Sequence, residues 1–453
     1  MRAITGTCKA APEAARKQID LFPLFLYHLF DAVVSVLRVQ FRGGNLMRQG
    51  LSFLYGLLLA AMVTLPVATV TAEQMGSATF GFSLDLPEGF LATEAAADGR
   101  SYQFKHQFCP AEIIIRIYEP RRYQSAKAAL EDTLSRLSAR DRDISQVEWR
   151  QADCTLASYK INPYGNQEYG GWAVAVELPE QKGWLAMLSY APTSDGKGNN
   201  PAHLLEQLVI SAIDSLSIDR GSQFGVGPVT AYAFPSIESQ PVELHIAGRK
   251  IQTEVGAEDK EIQQFITERE FVIMTLYAQT DLLVPAWQRY YRMVYRSAYQ
   301  QLRRPAFDIY ASLYNLDFVI SSDNPRLALA QTILSWVQTF PYERRFNMDK
   351  PYSHDSNDLS PPTAVLTGEV GSDCDSRSIL LAILLHHMNY QTVMFLSPVY
   401  QHAMLGVELE SAGARMRVAD RTYLVAETTD DVAIGQVAAD MSVEANWLSV
   451  TFP

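Results

Sequence analysis

Residues 371–390 read GSDCDSRSILLAILLHHMNY and place one cysteine, Cys374, between two aspartates at the head of an apolar run. The apolar residues that follow recur with helical spacing, so the stretch predicts an α-helix. Asp373 and Asp375 favour the positively charged N-terminal end of a helix, which puts Cys374 in the first turn. A cysteine in such a place is a metal ligand, a buried hydrophobic residue or a nucleophile, and the rest of the sequence bears on the choice.

The sequence after this helix predicts a sheet. Its four strand candidates are QTVMFLSP (391–398), HAMLGVELE (402–410), ARMRVA (414–419) and TYLVAE (422–427). Of the eight histidines in the chain, His402 is the best placed to activate a thiol, because it opens a strand that can hold it against the helix start. A catalytic imidazole also needs an acceptor on its other nitrogen. Asp420, in a predicted hairpin turn, and Glu427, at a strand end, are the candidates, and we prefer Glu427.

Three blocks carry a resemblance to a known family. SDCDSRSILLAILL, QHAMLGVEL and TYLVAETT resemble the transglutaminase-like domain of the papain-like cysteine enzymes, and LSWVQTFPY (334–342) resembles the helix end before the cysteine block in prokaryotic members. The resemblance covers roughly residues 326–429, about a quarter of the chain. It implies an α+β core in which the helix bearing Cys374 packs on an antiparallel sheet, with further helices before it. The family's third residue is usually Asp rather than Glu427, and here Ser372 separates the glycine and aspartate that usually precede the cysteine together.

The resemblance implies a catalytic set of Cys374, His402 and Glu427. It further suggests Gln338 as an oxyanion donor, by analogy with papain-like enzymes, although an ordinary polar residue at a helix end explains Gln338 equally well. The implied function is a cysteine-dependent amide hydrolase or acyl transferase that acts on protein or peptide substrates through a thioester. The alternative is a non-catalytic peptide-binding or scaffold protein of the cell envelope. An intact Cys/His/Glu set favours the enzyme.

The N-terminal part of the chain predicts export. Residues 47–72 combine a short basic segment, the apolar run LSFLYGLLLAAMVTLPVATV (51–70) and small residues ending at Ala72, as in a secretory signal peptide cleaved before Glu73. The same run is long enough to remain as a membrane anchor. We expect residues 1–46 to be an upstream extension outside the working protein, with a membrane-associated helix as the alternative. The expected location is the periplasm or cell envelope, with membrane contact only through this segment.

Cysteine usage follows from the predicted export. Besides Cys8 in the leader, the chain has Cys109, Cys154 and Cys374. Thiols in an oxidising compartment tend to pair, so we expect a disulfide between Cys109 and Cys154, with two separate buried thiols as the alternative. Cys374 is then the odd cysteine of an exported protein and a candidate reactive thiol.

The remaining patterns predict a second, separate α+β domain. We expect it over residues 73–219, followed by a linker with short strands over 220–258 and by the helical and transglutaminase-like region over 259–453. Alternating apolar stretches between residues 79 and 192 predict strands, and stretches 125–141 and 201–218 have helical spacing. Long helical segments are expected over 259–303 and 326–339.

Other classes of function have little support in the sequence. The net charge is −12 and basic residues do not cluster, which argues against nucleic acid as a partner. His386 and His387 are adjacent on a predicted helix and so point about 100° apart, which does not suit one metal ion. The sequence has no HExxH, GxSxG or phosphate-loop motif, and we expect neither metal nor cofactor.

Overall fold

The computed structural model describes residues 74–165, 167–193, 202–236, 238–343 and 359–453. The predicted leader, residues 1–72, lies outside the described residues. Among the helices that are described, none is both long and apolar enough to cross a membrane. The described residues have a mixed α+β fold, and the strands of their four sheets pair antiparallel.

The N-terminal part is built on a seven-stranded sheet of order β3-β4-β5-β9-β8-β7-β6. Its elements are β1 Gln74–Gly76, β2 Ser83–Asp85, β3 Phe90–Ala95, β4 Ser101–His106, β5 Glu112–Tyr118, α1 Ala126–Arg136, β6 Arg140–Trp149, β7 Ala152–Ile161, β8 Tyr169–Leu178, β9 Gly183–Pro192, α2 Ala202–Asp214 and α3 Pro228–Ala233. Successive residues of a strand point to opposite faces of the sheet, and a helix covers each face of this one. Leu185 and Met187 of β9 share a core with α2, whereas Ala186 and Leu188 share one with α1.

The predicted disulfide does not form in this sheet, and that prediction is corrected. Cys109 lies between β4 and β5, Cys154 lies on β7, and both are thiols. Strands β5 and β7 are separated by β9 and β8, which is three interstrand spacings or about 14 Å. A disulfide needs Cα atoms within about 7 Å. Burial instead raises the pKa of Cys109 to about 11 and that of Cys154 to about 12.

A hairpin and a set of helices follow. Their bounds are β10 Ser239–Ile246, β11 Arg249–Gly256, α4 Asp259–Thr275, α5 Leu283–Tyr299, α6 Arg303–Leu313, α7 Asp317–Ile320, α8 Pro325–Gln338 and α9 Pro362–Thr367. Ala247 and Gly248 both have positive φ, 50° and 75°, as a two-residue hairpin turn requires. The helical segment expected over 259–303 consists of two helices, since α4 ends at Thr275 and α5 begins at Leu283. Pro285 lies in the first turn of α5, where proline is tolerated.

Ion pairs connect these helices to β2 and α2 of the N-terminal part. Arg292 of α5 donates to both carboxylate oxygens of Asp85 at 2.8 Å. Arg269 of α4 donates to Asp214 at 2.6 Å, and both side chains are 1% exposed. The N-terminal part and the helical region therefore share charged contacts as well as apolar packing.

The C-terminal part places one helix on a five-stranded sheet of order β14-β15-β13-β12-β16. The elements are α10 Cys374–His387, β12 Thr392–Ser397, β13 His402–Val407, β14 Arg415–Val418, β15 Arg421–Ala426 and β16 Leu448–Thr451. Helix α10 packs on β12 and β13, and its residues from Ile379 to Leu385 are fully buried. This packing brings the start of α10 to the start of β13.

Candidate active site

Helix α10 begins at Cys374 because Asp373 caps it. The Asp373 carboxylate accepts from the backbone N–H of Ser376 at 3.3 Å and from its hydroxyl at 2.6 Å. Asp375 accepts from the same N–H at 2.8 Å and from the hydroxyl of Tyr291 at 2.8 Å. Both carboxylates that flank the cysteine are thus buried and held by hydrogen bonds within the structure.

The histidine and glutamate meet across two neighbouring strands. His402 opens β13, and Glu427 directly follows β15, which pairs with β13. The Nε2 atom of His402 lies 2.7 Å from Oε2 of Glu427. The other carboxylate oxygen accepts from the backbone N–H of Thr429 at 2.8 Å and from its hydroxyl at 2.6 Å. Burial would raise the pKa of Glu427, but the interaction with His402 and the two hydrogen bonds from Thr429 outweigh burial and lower that pKa.

This contact determines which ring nitrogen of His402 carries the hydrogen. An ionised carboxylate only accepts hydrogen bonds, so Nε2 is the donor toward Glu427. In the neutral ring, Nδ1 is then the nitrogen with a lone pair, able to take a proton. The indole of Trp447 packs against the imidazole with ring centroids 6.3 Å apart and planes inclined by 67°. The imidazole is therefore held by two contacts, the Glu427 carboxylate at Nε2 and the Trp447 indole.

The Cys374 thiol lies at the start of the same strand. The backbone of Ala403, the residue after His402, makes a hydrogen bond that favours the thiolate. Burial opposes this most strongly, followed by the charges of Asp375 and Asp373, and the net pKa of Cys374 is well above its usual value. The resting sulfur is therefore a neutral thiol, and it reacts only if a base removes its proton during the attack.

Gln338 is not placed as an oxyanion donor, and that expectation is corrected. Its side-chain nitrogen donates to two backbone carbonyls, those of Glu427 at 2.8 Å and Val432 at 2.9 Å. A side-chain amide has two N–H donors, so both are occupied within the protein. Gln338 instead ties the end of α8 to the turn that carries Glu427.

Arg377 is the residue that sequence reasoning missed. It lies one turn after Cys374, is 1% exposed and donates to the Ser372 hydroxyl at 3.0 Å, to the Thr428 carbonyl at 3.0 Å and to the Phe340 carbonyl at 2.6 Å. The available signal was a single arginine in an otherwise uncharged stretch from Ser376 to Leu385.

The other candidate residues lie apart from this centre. Asp420 is exposed in the turn between β14 and β15. His386 contacts the Tyr295 hydroxyl, whereas His387 lies 2.7 Å from the carbonyl of Tyr299. Within the described ranges, no three His, Cys, Asp or Glu side chains converge as a metal site would require.

Comparisons with known proteins give no family for this chain. No protein-family model matches it, and no curated protein does. Among solved structures, it is similar to the Saccharomyces cerevisiae Ran-binding protein Mog1p, with 12% identity over 33% of this chain and 97% of that chain. The TM-score of that superposition is 0.25, which is too low to support an argument about fold or function.

Proposed function

We propose that this chain is an exported cysteine-dependent amide hydrolase or acyl transferase with a transglutaminase-like, papain-like core. The observation that carries the proposal is the contact of 2.7 Å between His402 and Glu427: His402 opens β13, which packs against the helix that begins at Cys374, and Glu427 follows the neighbouring strand β15. Three residues singled out by sequence pattern thus belong to elements in direct contact. The signal peptide predicted over residues 47–72 supports export to the periplasm or cell envelope.

The chemistry follows from the protonation states. Nδ1 of His402 takes the proton of the Cys374 thiol as the sulfur attacks a substrate amide carbonyl. The resulting imidazolium gives that proton to the leaving amine, and a thioester remains on the cysteine. Water or a second amine then releases the acyl group as an acid or as a new amide. Glu427 stabilises the imidazolium, and no metal or cofactor takes part in the scheme.

One observation favours a second candidate, a non-catalytic peptide-binding or scaffold protein of the cell envelope. Burial, and after it the charges of Asp375 and Asp373, raise the pKa of the Cys374 thiol. A protein that only binds peptides needs no reactive sulfur. Selective reactivity of Cys374 distinguishes the two functions without knowledge of the substrate.

The test is alkylation of the folded protein with iodoacetamide, followed by peptide mapping. Cys109 and Cys154 are 5% and 2% exposed, whereas Cys374 is partly exposed, so we expect Cys374 to be modified first. If His402 serves as the base, His402→Ala lowers the rate at Cys374 by about tenfold or more near neutral pH.

His245→Ala is the matched control, since this histidine is exposed on β10 and should leave the rate unchanged. The enzymatic proposal is wrong if Cys374 reacts no faster than a small-molecule thiol of ordinary pKa and His402→Ala has no effect. The scaffold is then the better interpretation.

A further inference from the structure

We propose that Arg377 is a positioning residue that ties the turn carrying Glu427 to the start of α10, with Gln338 as a second anchor. We call this set of hydrogen bonds the turn clamp. The role of the clamp in reactivity rests on the proposed function, but its effect on the turn can be measured separately.

The hydrogen bonds of Arg377 connect three segments of the site. Nε binds Ser372, two residues before the cysteine; Nη1 binds the carbonyl of Thr428, next to Glu427; and Nη2 binds the carbonyl of Phe340, just beyond α8. These partners are distant in sequence, and this guanidinium binds all three, in addition to the backbone hydrogen bonds that join residues 341 and 343 to Ser372. A planar group with five N–H donors in fixed directions suits several separate acceptors, which a lysine ammonium does not match.

Arg377 is buried, and none of the described ion pairs joins it to a carboxylate. Its acceptors are a hydroxyl and two carbonyls, and burial lowers its pKa. A buried guanidinium carries a large desolvation penalty, which its hydrogen bonds and the nearby charges of Asp373 and Glu427 offset. An apolar residue of similar length would fill the same place in the core, so the arginine contributes donors that packing alone does not supply.

The turn is also held by its neighbours. Gln338 binds the carbonyl of Glu427 itself, and the hydroxyl of Thr428 lies 3.3 Å from the carbonyl of Cys374. Consecutive residues, 427 and 428, are thus fixed to α8 and to α10. Since Glu427 must meet a ring nitrogen of His402 at 2.7 Å, a small displacement of this backbone would misalign the imidazole.

The experiment compares Arg377→Met and Gln338→Met with a matched control, Arg296→Met. Arg296 is another buried arginine that donates to backbone carbonyls, those of Ser215, Leu216, Ser222 and Gly225, all outside the site. All three variants lose stability. Only the first two should speed hydrogen exchange of the segment 425–432, by about tenfold or more over the control.

The second readout is the His402-dependent part of the Cys374 alkylation rate. It is the rate with His402 present divided by the rate in the His402→Ala background. Arg377→Met should lower this ratio about tenfold, Arg377→Lys should restore part of it, and Arg296→Met should leave it unchanged. Because Gln338→Met keeps the arginine, it remains informative if Arg377→Met does not fold.

The outcomes separate the two proposals. Unchanged exchange of 425–432 in Gln338→Met, and in Arg377→Met where that variant folds, refutes the clamp, whatever the alkylation rates. Faster exchange with an unchanged ratio refutes its positioning role. A wild-type ratio near one refutes the proposed function, while the exchange measurement still decides whether the clamp holds the turn.

Discussion

Replacing Glu427 by glutamine tests the hydrogen-bond arrangement at its centre. The amide is nearly the same size as the carboxylate but has one acceptor atom. In the native protein one carboxylate oxygen accepts two hydrogen bonds from Thr429, and the other faces Nε2 of His402. In Glu427→Gln the amide oxygen stays with the two Thr429 donors, so the NH2 group faces the ring. Two donors cannot face each other, and His402 is forced to place its hydrogen on Nδ1, toward the thiol.

The expected size of the effect follows from the hydrogen bond that is lost. A hydrogen bond to a charged group contributes about 1.5–3 kcal/mol, against about 0.5–1.5 kcal/mol for a neutral one. The difference, about 1–2 kcal/mol, lowers the stability of the imidazolium and therefore the rate of thiol deprotonation by about tenfold. The wrong tautomer adds to this loss, because Nδ1 no longer has a lone pair for the proton of Cys374.

The assay is the second-order rate of Cys374 alkylation between pH 5 and pH 9, measured by peptide mapping, with urea unfolding as a check on the fold. Glu408→Gln is the matched control, because Glu408 pairs with Arg421 at 3.0 Å on the same sheet with its side chain 41% exposed. It should leave the profile unchanged. If Glu427→Gln is folded and keeps the wild-type rate and pH profile, the acceptor role of Glu427 is refuted.

Two further predictions test the packing of β13 and the protonation of a buried carboxyl. Gly406→Ala in β13 should destabilise the fold by about 1–3 kcal/mol in urea unfolding, because a Cβ there would lie 2.5 Å from a ring carbon of Phe395. The control is Gly225→Ala, where the nearest atom to a Cβ is 3.7 Å away, and it should change stability by less than about 0.5 kcal/mol. Burial raises the pKa of Glu88 to about 8 from the usual value of 4.5. The folded state therefore keeps a proton that the unfolded chain releases between about pH 4.5 and pH 8, and the free energy of unfolding falls as the pH rises through that interval. Glu88→Gln should therefore be more stable than the wild type at pH 8, by on the order of 3–4 kcal/mol, and equal to it below pH 4.5; an equal difference at both pH values would contradict a buried titrating carboxyl.

The sequence by itself identified the elements whose local pattern is strong. The run after Cys374 is apolar on every side and capped by Asp373, so α10 follows from local signals alone. Strands β12, β13 and β15 are buried and rich in apolar residues, and their candidates were read at nearly the observed bounds. Both signals depend on residues close together in the chain, which is why no tertiary information was needed.

Elements without such a pattern were missed. Strand β6 lies at a sheet edge and begins RDRD, so its first residues are exposed and show no alternation. Strands β3 and β16 were also not predicted; β3 exposes all but its first residue, and β16 has four residues. An edge strand pairs on one side only, so neighbouring backbone rather than its own side chains determines that it forms.

Contacts between distant segments were decided by the tertiary structure alone. The order of the seven strands separates Cys109 from Cys154, although both belong to one domain and one core. In the same way, the tertiary structure places Gln338 against the carbonyl of Glu427, where it anchors the turn, rather than where an oxyanion donor would lie. It also brings acceptors from three segments to Arg377. Residue type and spacing limit which groups are able to react, but hydrogen bonds between remote segments depend on strand order and helix packing, which a local pattern does not specify.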